Sequence, residues 1–525
     1  MSEPLAPAPS APRELEIKLV GPREVLERAM RSPILRLRMH GKSVTRRLHS
    51  VYFDTPDGAL RRQGIGLRLR KQGRKWVQTI KREHTVSAGL HDREEFESVL
   101  SLRWPSFAPL AGSAFEETFD DLELRKLLQP VFITEFHRST RIIEWKDASL
   151  IEVAFDRGQI LANEAAPICE IELELEQGDP GALFALATEL CAQFPVRLEN
   201  RSKAERGYAL MKGDAAQPGR ARPIALEPHI TPGEAFIAIA GECMRHLQSN
   251  EEGLIRGEDP EYLHQARVAL RRLRVALGVF RALIPDGALE RQDSAMRKLG
   301  QTLGVARDWE VFSLETLPAL PAGLTSDAGT RALIAESGTR RKNARRFAQR
   351  CVSDPSYTLA LLDFAAALYR QPWMTTEDPQ VIQARSLPVI EFACQVLSKR
   401  WRAALKRGAG IDATQAASLH PLRIELKKLR YGGEFFITLF PKKSAKKFLK
   451  LLAGIQDHLG RINDAATVVR ITDTLRQDCQ EPDAREALGA LRGYFAAQAR
   501  AEIEPALKAW KRQKQAEAFW DLTTK

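Results

Sequence analysis

The sequence is short of several things that would each have named a function. Cysteine occurs six times in 525 residues, at positions 169, 191, 243, 351, 394 and 479, and never as a CxxC pair. That spacing indicates neither a disulfide framework nor a structural zinc site. No apolar run approaches the roughly 18 residues that a membrane span needs; the stretch 235–240 (AFIAIA) is far too short. The first residues, MSEPLAPAPSAP, lack the basic and apolar regions of a secretory leader. GxxxxGK[ST], HExxH and GxSxG are absent, and Gly64-x-Gly66 is only a fragment of a dinucleotide fingerprint. The expectation is a soluble, cytoplasmic protein with no membrane partner. An apolar content of 44% and a charged content of 28% exclude a disordered or fibrous chain, and the length suits two to four domains.

What is present is charge, unevenly placed. Lys and Arg number 79 against 67 Asp and Glu, a net +12, with a sequence pI near 9.4. Residues 212–233 hold Pro218, Pro223, Pro228 and Pro232, a linker composition. Up to residue 214 the chain has 32 basic and 32 acidic side chains; the remainder has 47 and 35, the whole surplus. A polyanionic partner is implied for the second part, although pI alone does not choose among polyanions.

The first part reads as strand-rich. ELEIKL (14–19), GLRLR (66–70), WVQTIK (76–81), LIEVAFD (150–156) and ICEIELELE (168–176) alternate with period two, and helices are expected near 22–31 and 180–193. One face of these strands is apolar and the other almost wholly ionised: Glu14, Glu16 and Lys18; Arg68 and Arg70; Glu152 and Asp156; Glu170, Glu172, Glu174 and Glu176. Four same-face glutamates repel one another unless cations compensate them. Acidic and basic strands lie far apart in sequence, so only closure of the sheet brings them together. A barrel with an ionised interior would do so. Its glutamates would offer hard oxygen ligands to Mg²⁺ or Mn²⁺, and its Arg and Lys would grip anionic oxygens. Tyr52 and Asp54 read as turn and packing residues, and Arg36, Arg38, Arg46 and Arg47 as surface. Glu170 and Glu176, at the ends of their strand, stay open between solvent and interior.

Glu14-x-Glu16-x-Lys18 resembles the ExExK signature of the CYTH family, the triphosphate tunnel metalloenzymes. Tyr52-Phe53-Asp54-Thr55, Leu67-Arg68-Leu69-Arg70, Thr79-Ile80-Lys81, Arg93-x-Glu95, Arg138, Glu152 with Asp156-x-Gly158, Glu172-x-Glu174 and Ser202-Lys203 follow in that family's order. The resemblance covers about residues 12–212 and implies an eight-stranded antiparallel tunnel with flanking helices. It also implies that Glu14, Glu16, Glu152, Glu172 and Glu174 hold metal, and that Glu14, Glu16 and Lys18 are catalytic. Lys18, Arg68, Arg70, Lys81, Arg93, Arg138 and Lys203 would bind the triphosphate.

The second part reads as helical and duplicated. HQARVALRRLRVAL from His264 recurs 156 residues later as HPLRIELKKLRYGG from His420, and Phe280/Phe436, Pro285/Pro441 and LGxxRD/LGxxND keep the same offset. His264, Arg267, Arg271 and Arg274 fall within an arc of about 80° of one helix, away from Leu270, Leu273 and Leu277. Like charges on one face cost stability, and a polyanion removes that cost. This pattern resembles the CHAD domain, the conserved-histidine α-helical domain. The resemblance implies two pseudo-symmetric helical bundles binding inorganic polyphosphate through His264, Arg267, Arg271, Arg272, Arg274, His420, Arg423, Lys427, Lys428 and Arg430. Arg271 and Arg272 become Lys427 and Lys428 in the second copy, point charges in place of forks. Apart from Tyr431, the stripes lack the interleaved aromatics that base stacking wants, which disfavours nucleic acid.

The organisation expected is a tail (1–11), a tunnel domain (12–212), a linker (213–233), a helical domain (234–510, with repeats about 234–370 and 385–510) and a second tail (511–525). The function expected is metal-dependent hydrolysis of inorganic triphosphate, with polyphosphate held by the helical domain. The alternatives are a thiamine triphosphatase, a nucleoside triphosphate hydrolase or adenylate cyclase on the same tunnel, or a polyphosphate-binding protein without activity.

Overall fold

Strand formation follows the period-two pattern, in a computed structural model that describes residues 13–87, 90–212, 217–479 and 481–521. The strands are β1 (Arg13–Val20), β2 (Met39–Asp54), β3 (Ile65–Gln72), β4 (Lys75–Ser87), β5 (Leu90–Leu100), β6 (Gln129–Glu144), β7 (Leu150–Leu161), β8 (Ala165–Gln177) and β9 (Arg197–Leu198). Their order is β5-β4-β3-β2-β6-β7-β8-β1-β9, and β1 also pairs with β5. That last pairing, Arg13↔Glu94 through Ile17↔Leu90, closes eight antiparallel strands into a barrel and leaves no open edge among them. β9 is a two-residue addition beside the end of β1, at Leu19↔Leu198 and Val20↔Arg197.

The apolar face of the sheet turns outward and is covered. Ile17 and Leu19 are fully buried, and the helix Gly181–Gln193 packs on β1 and β8. On the other flank Leu67, Leu69 and Ile80 join Phe115, Phe119 and Leu124 from the segment between β5 and β6 in one core. The helix Lys203–Lys212 lies against β6 and β7. It brings Tyr208 onto the ring of Phe132, which stacks on Tyr52 at 4.5 Å. The Asp54 carboxylate accepts from the backbone N–H groups of Thr55, Leu60 and Arg61. It therefore caps the short helix Ala59–Arg62, the turn role read from sequence. The first compact unit also includes Asp354–Arg370, whose helix packs on Gly181–Gln193 with Tyr369 beside Phe184.

The second unit, taken by itself, is helical and repeats. Pro232–Gln248, Pro260–Val279, Glu290–Val311 and Asp327–Ser353 have counterparts in Val389–Ala409, His420–Phe435, Lys442–Asp478 and Pro482–Ala501. Each helix packs on its neighbour within a copy. Three equivalent pairs also touch across copies: Pro232–Gln248 with Val389–Ala409, Pro260–Val279 with His420–Phe435, and Asp327–Ser353 with Pro482–Ala501. Phe280 and its counterpart Phe436 meet at 5.8 Å between ring centres, and Phe280 stacks on Phe392 at 5.2 Å. Equivalent residues touch one another only near a twofold axis, so the pseudo-axis passes through this aromatic core. The copies diverge after Val311, where the first breaks into a π-turn at Phe312–Thr316 while the second continues as one helix to Asp478.

A Cβ at Gly207 would lie 2.3 Å from the Phe132 ring, and that ring is pinned by Tyr52 and Tyr208. Overpacking of this kind costs about 1–3 kcal/mol, so Gly207→Ala should lower the melting temperature of the full chain. A calorimetric scan checks this; an unchanged transition would show that the helix can shift.

Candidate active site and anion groove

Residues paired in register share a face of the sheet, and following the ladders around the barrel collects the ionised side chains on its interior. Glu16 stands beside Glu174 and Lys18 beside Glu172; Glu152 faces Glu174 and Asp156 faces Glu170; Arg138 faces Asp156. Further round, Tyr52 faces Arg68 and Ser50 faces Arg70, and Lys81 lies between Gly66 and Glu95. The arc β7, β8, β1 is therefore mainly acidic and the arc β6, β2, β3, β4 mainly basic. Glu14 and Arg93 pair in register at the seam; their side chains lie outside the described residues.

The contacts centre on Glu172. Lys18 Nζ lies 3.0 Å from Glu16 and 3.3 Å from Glu172. Arg138 forks onto Asp156 at 2.8 and 2.6 Å and also reaches Glu172. Lys203 Nζ meets Asp156 at 2.7 Å, Glu172 at 2.9 Å and also Glu170. Glu170 is 1% exposed and pairs as well with Arg206 at 2.8 Å. The structure thus resolves the position left open between solvent and interior: Glu170 faces inward, while Glu176 is exposed. Arg36, Arg46 and Arg47 are exposed as expected, and Arg38 is half-buried against Glu189 and Trp145. On the basic arc, Lys81 meets Glu95 at 2.8 Å, Arg68 lies 4.0 Å from the same carboxylate, and Arg70 donates to Ser50.

Burial works against several of these charges, and their partners decide the outcome. Burial opposes ionisation of Glu172, yet Lys203, Arg138 and Lys18 hold it well below the ordinary carboxylate range. Burial likewise opposes protonation of Lys203, and Asp156, Glu170 and Glu172 raise it. Arg70 is less well compensated: burial, Arg68 and Arg138 push it down to about 9 against Tyr52 and Asp156. The Glu152 carboxyl is raised by burial and, despite Arg138, by Glu176, Glu172 and Asp156. Tyr52 is held low, against burial, by Arg68, Arg70 and Lys203.

Among the described residues, the carboxylates close enough to share one ion are Asp156, Glu170 and Glu172, within 4.8 Å of one another. Of these only Glu172 belongs to the expected metal set, and Lys203 already lies among all three. Glu152 and Glu174 stand opposite each other in register on β7 and β8. Glu152 carries like-charge repulsion that a divalent cation would relieve.

In the helical unit the pseudo-axis sets equivalent cations side by side. Arg267, Arg271, Arg423 and Lys427 act on one another electrostatically. Burial first, then Arg271 and Arg423, pushes Lys427 down to about 7. The Nε atoms of Arg271 and Arg423 are buried and have no acceptor among the described residues. Acids reach this cluster from other helices. Arg267 donates to Gly304 O at 2.6 Å and to Asp308 at 3.2 Å, and Asp464 faces Arg423 and Lys427. His264 borders the group near Arg307 and Arg271. The other expected residues stand apart. Arg272 is buried on Glu434 and the rings of Tyr431 and Phe435. Lys428 pairs with Glu425, Arg430 with Glu434 and Gln456, and exposed Arg274 lies 3.7 Å from Asp293. His420 is exposed.

Comparison with known proteins agrees with this two-part geometry. Residues 12–208 match the CYTH domain model and residues 238–472 the CHAD domain model. An inorganic triphosphatase of Haemophilus influenzae is 38% identical over 165 residues, 31% of this chain and 46% of that protein, so the chain spans about half the length of this relative. An uncharacterized protein of Mycobacterium tuberculosis is 27% identical over 451 residues, 79% of this chain and 81% of its own. The crystal structure of the CHAD domain from the plant Ricinus communis matches with a TM-score of 0.51 at 35% identity, covering 58% of this chain and 99% of that one. The chain therefore carries a CYTH domain followed by a CHAD domain.

Proposed function

We propose that the tunnel hydrolyses inorganic triphosphate to pyrophosphate and phosphate with Mg²⁺ or Mn²⁺, and that the helical domain binds inorganic polyphosphate. The observation that carries the first half is the division of one closed interior into an acidic and a basic arc. The Haemophilus relative, named an inorganic triphosphatase, supports the choice of substrate. Glu152 and Glu174, with Glu14, Glu16 and Glu172, would hold the metal, which when bound supplies Lewis-acid charge neutralisation to phosphate oxygens. Arg68, Arg70, Lys81, Arg93 and Arg138 would seat the three phosphoryl groups and take up the charge that grows on the leaving pyrophosphate. Lys18, fixed between Glu16 and Glu172, and Lys203, fixed among three carboxylates, are cations held in place before substrate arrives. Seating the substrate on the basic arc leaves the opposite wall to position the attacking water.

Phosphate release from tripolyphosphate, thiamine triphosphate and ATP, each with Mg²⁺ and Mn²⁺, tests this reading. Tripolyphosphate should be the preferred substrate; cyclic nucleotide from ATP, or no turnover of any of them, would overturn it. Glu152→Gln should lower kcat by at least about 100-fold (about 2.7 kcal/mol) with little change in melting temperature. Glu172→Gln should also lower the melting temperature, because it strands Lys18, Arg138 and Lys203 without their shared anion, a loss of about 3–5 kcal/mol. Equal melting temperatures for the two variants would remove Glu172 from the centre of the network.

In the groove, Lys427 has a pKa pushed down to about 7 by burial and by Arg271 and Arg423, and a bound polyanion would draw its proton back. Polyphosphate affinity should therefore hold below pH 7 and fall as pH rises through 7. Lys427→Arg should flatten that fall, and titration calorimetry across pH 6–9 reads it. Charge reversal at Arg271 and Lys427 together should abolish the groove's contribution; unchanged binding would refute the groove.

A further inference from the structure

The second copy of the helical repeat carries a charge feature that the first lacks. The helix Lys442–Asp478 opens with Lys442, Lys443, Lys446, Lys447 and Lys450, all exposed. At 100° per residue the five fall within an arc of about 140°, opposite an apolar arc formed by Ala445, Phe448 and Leu452. Those three are buried, so the lysine arc faces away from the core. None of the five lysines has an ion-pair or hydrogen-bond partner among the described residues. The equivalent helix of the first copy, Glu290–Val311, begins with both signs, and its Arg297 meets Asp293 at 2.7 Å. The duplicated fold therefore does not need an unrelieved lysine stripe, which costs stability through repulsion.

We infer that this lysine face is a second polyphosphate contact, taking the part of a long chain that runs beyond the groove. The inference rests on the polyphosphate reading of the helical domain. Position supports it: the second basic helix, which carries Arg423 and Lys427, ends at Phe435, and only Phe436–Pro441 separates it from the stripe. The chemistry of the face selects the occupant. Lysines are strongly hydrated point charges on flexible stems, suited to a regular polyanion and without the planar fork that reads bases. No aromatic side chain lies on the arc to stack a base. The exposed large apolar residues include none between 440 and 460, so nothing on this face would enter a lipid layer. The groove would grip with half-buried forks; the stripe adds screened, non-specific attraction along the chain.

The test replaces all five lysines by glutamine in the full chain and titrates long-chain polyphosphate at several salt concentrations. Affinity near physiological salt should fall about tenfold or more, and the slope of log K against log salt should shrink by about 3, on the scale of single-stranded polyanions. Turnover of tripolyphosphate should be unchanged. An affinity and slope equal to wild type would overturn the inference and leave the groove standing. A wild-type chain that binds no polyphosphate would overturn both. If the lysine variant loses all binding while the Arg271/Lys427 charge reversal loses none, the stripe is not a continuation of the groove and the inference fails. A duplex DNA of matched charge is titrated alongside. DNA binding tighter than polyphosphate binding, and lost with the lysines, would assign the face to nucleic acid instead.

Discussion

Everything in the first unit depends on how charges buried inside a closed sheet are compensated. Glu172, Asp156 and Glu170 are removed from water on adjacent strands, where each alone would protonate or destabilise the fold. Glu172 remains charged because Arg138 reaches it from β6, Lys18 from β1 and Lys203 from a helix that follows the last strand. The sheet order already sets β6, β7, β8 and β1 side by side, and closure through β1 and β5 turns the face they share into an interior. A flat sheet of the same strands would leave these charges facing water. The apolar outer face and its covering helices are the other half of the same constraint.

The second unit solves a related problem in a different way. Its four central cations, Arg267, Arg271, Arg423 and Lys427, are brought together by a pseudo-twofold axis rather than by ladders. They are only partly offset, by Asp308 and Asp464. The depressed Lys427 and the buried Nε atoms of Arg271 and Arg423 mark a charge imbalance that the protein does not relieve internally. Buried donors without acceptors among the described residues occur in both units, Arg68 Nε in the tunnel and the Nε atoms of Arg271 and Arg423 in the helices, but the tunnel sets more ion pairs around its cations. An anion in the tunnel must therefore compete with existing ion pairs, and one in the groove meets fewer of them.

Some of this was legible in the residues and some was not. The parity of Glu14, Glu16 and Lys18, and of Glu172 and Glu174, could be read because those strands bury their other face continuously. β2 escaped that reading: its first nine residues are exposed on both faces, so no alternation is imposed on them. β6 begins Gln129-Pro130, and β5 carries an acidic run, so both blur the strand pattern, and the count of eight came from the family resemblance. Glu170 is ambiguous in the sequence because the alternation is legible only from Ile168, whereas β8 begins at Ala165. Asp308 and Asp464 stood in the repeat alignment without a role, because helix packing alone brings them to the stripes.

The sequence by itself determined the two-part division, the ionised strand faces, the duplication at an offset of 156 and the confinement of the surplus charge to the second part. These are local or periodic properties, carried by residue type and spacing. Only the tertiary structure decided which ions meet. It set Lys203 rather than a vacancy among Asp156, Glu170 and Glu172. It drew Arg267, Arg271, Arg423 and Lys427 out of ten candidates into one group, and it turned Arg272 into the helix interface. Pairing across a barrel or an axis depends on distances between segments far apart in the chain, and those distances exist only once the sheet has closed and the helices have packed.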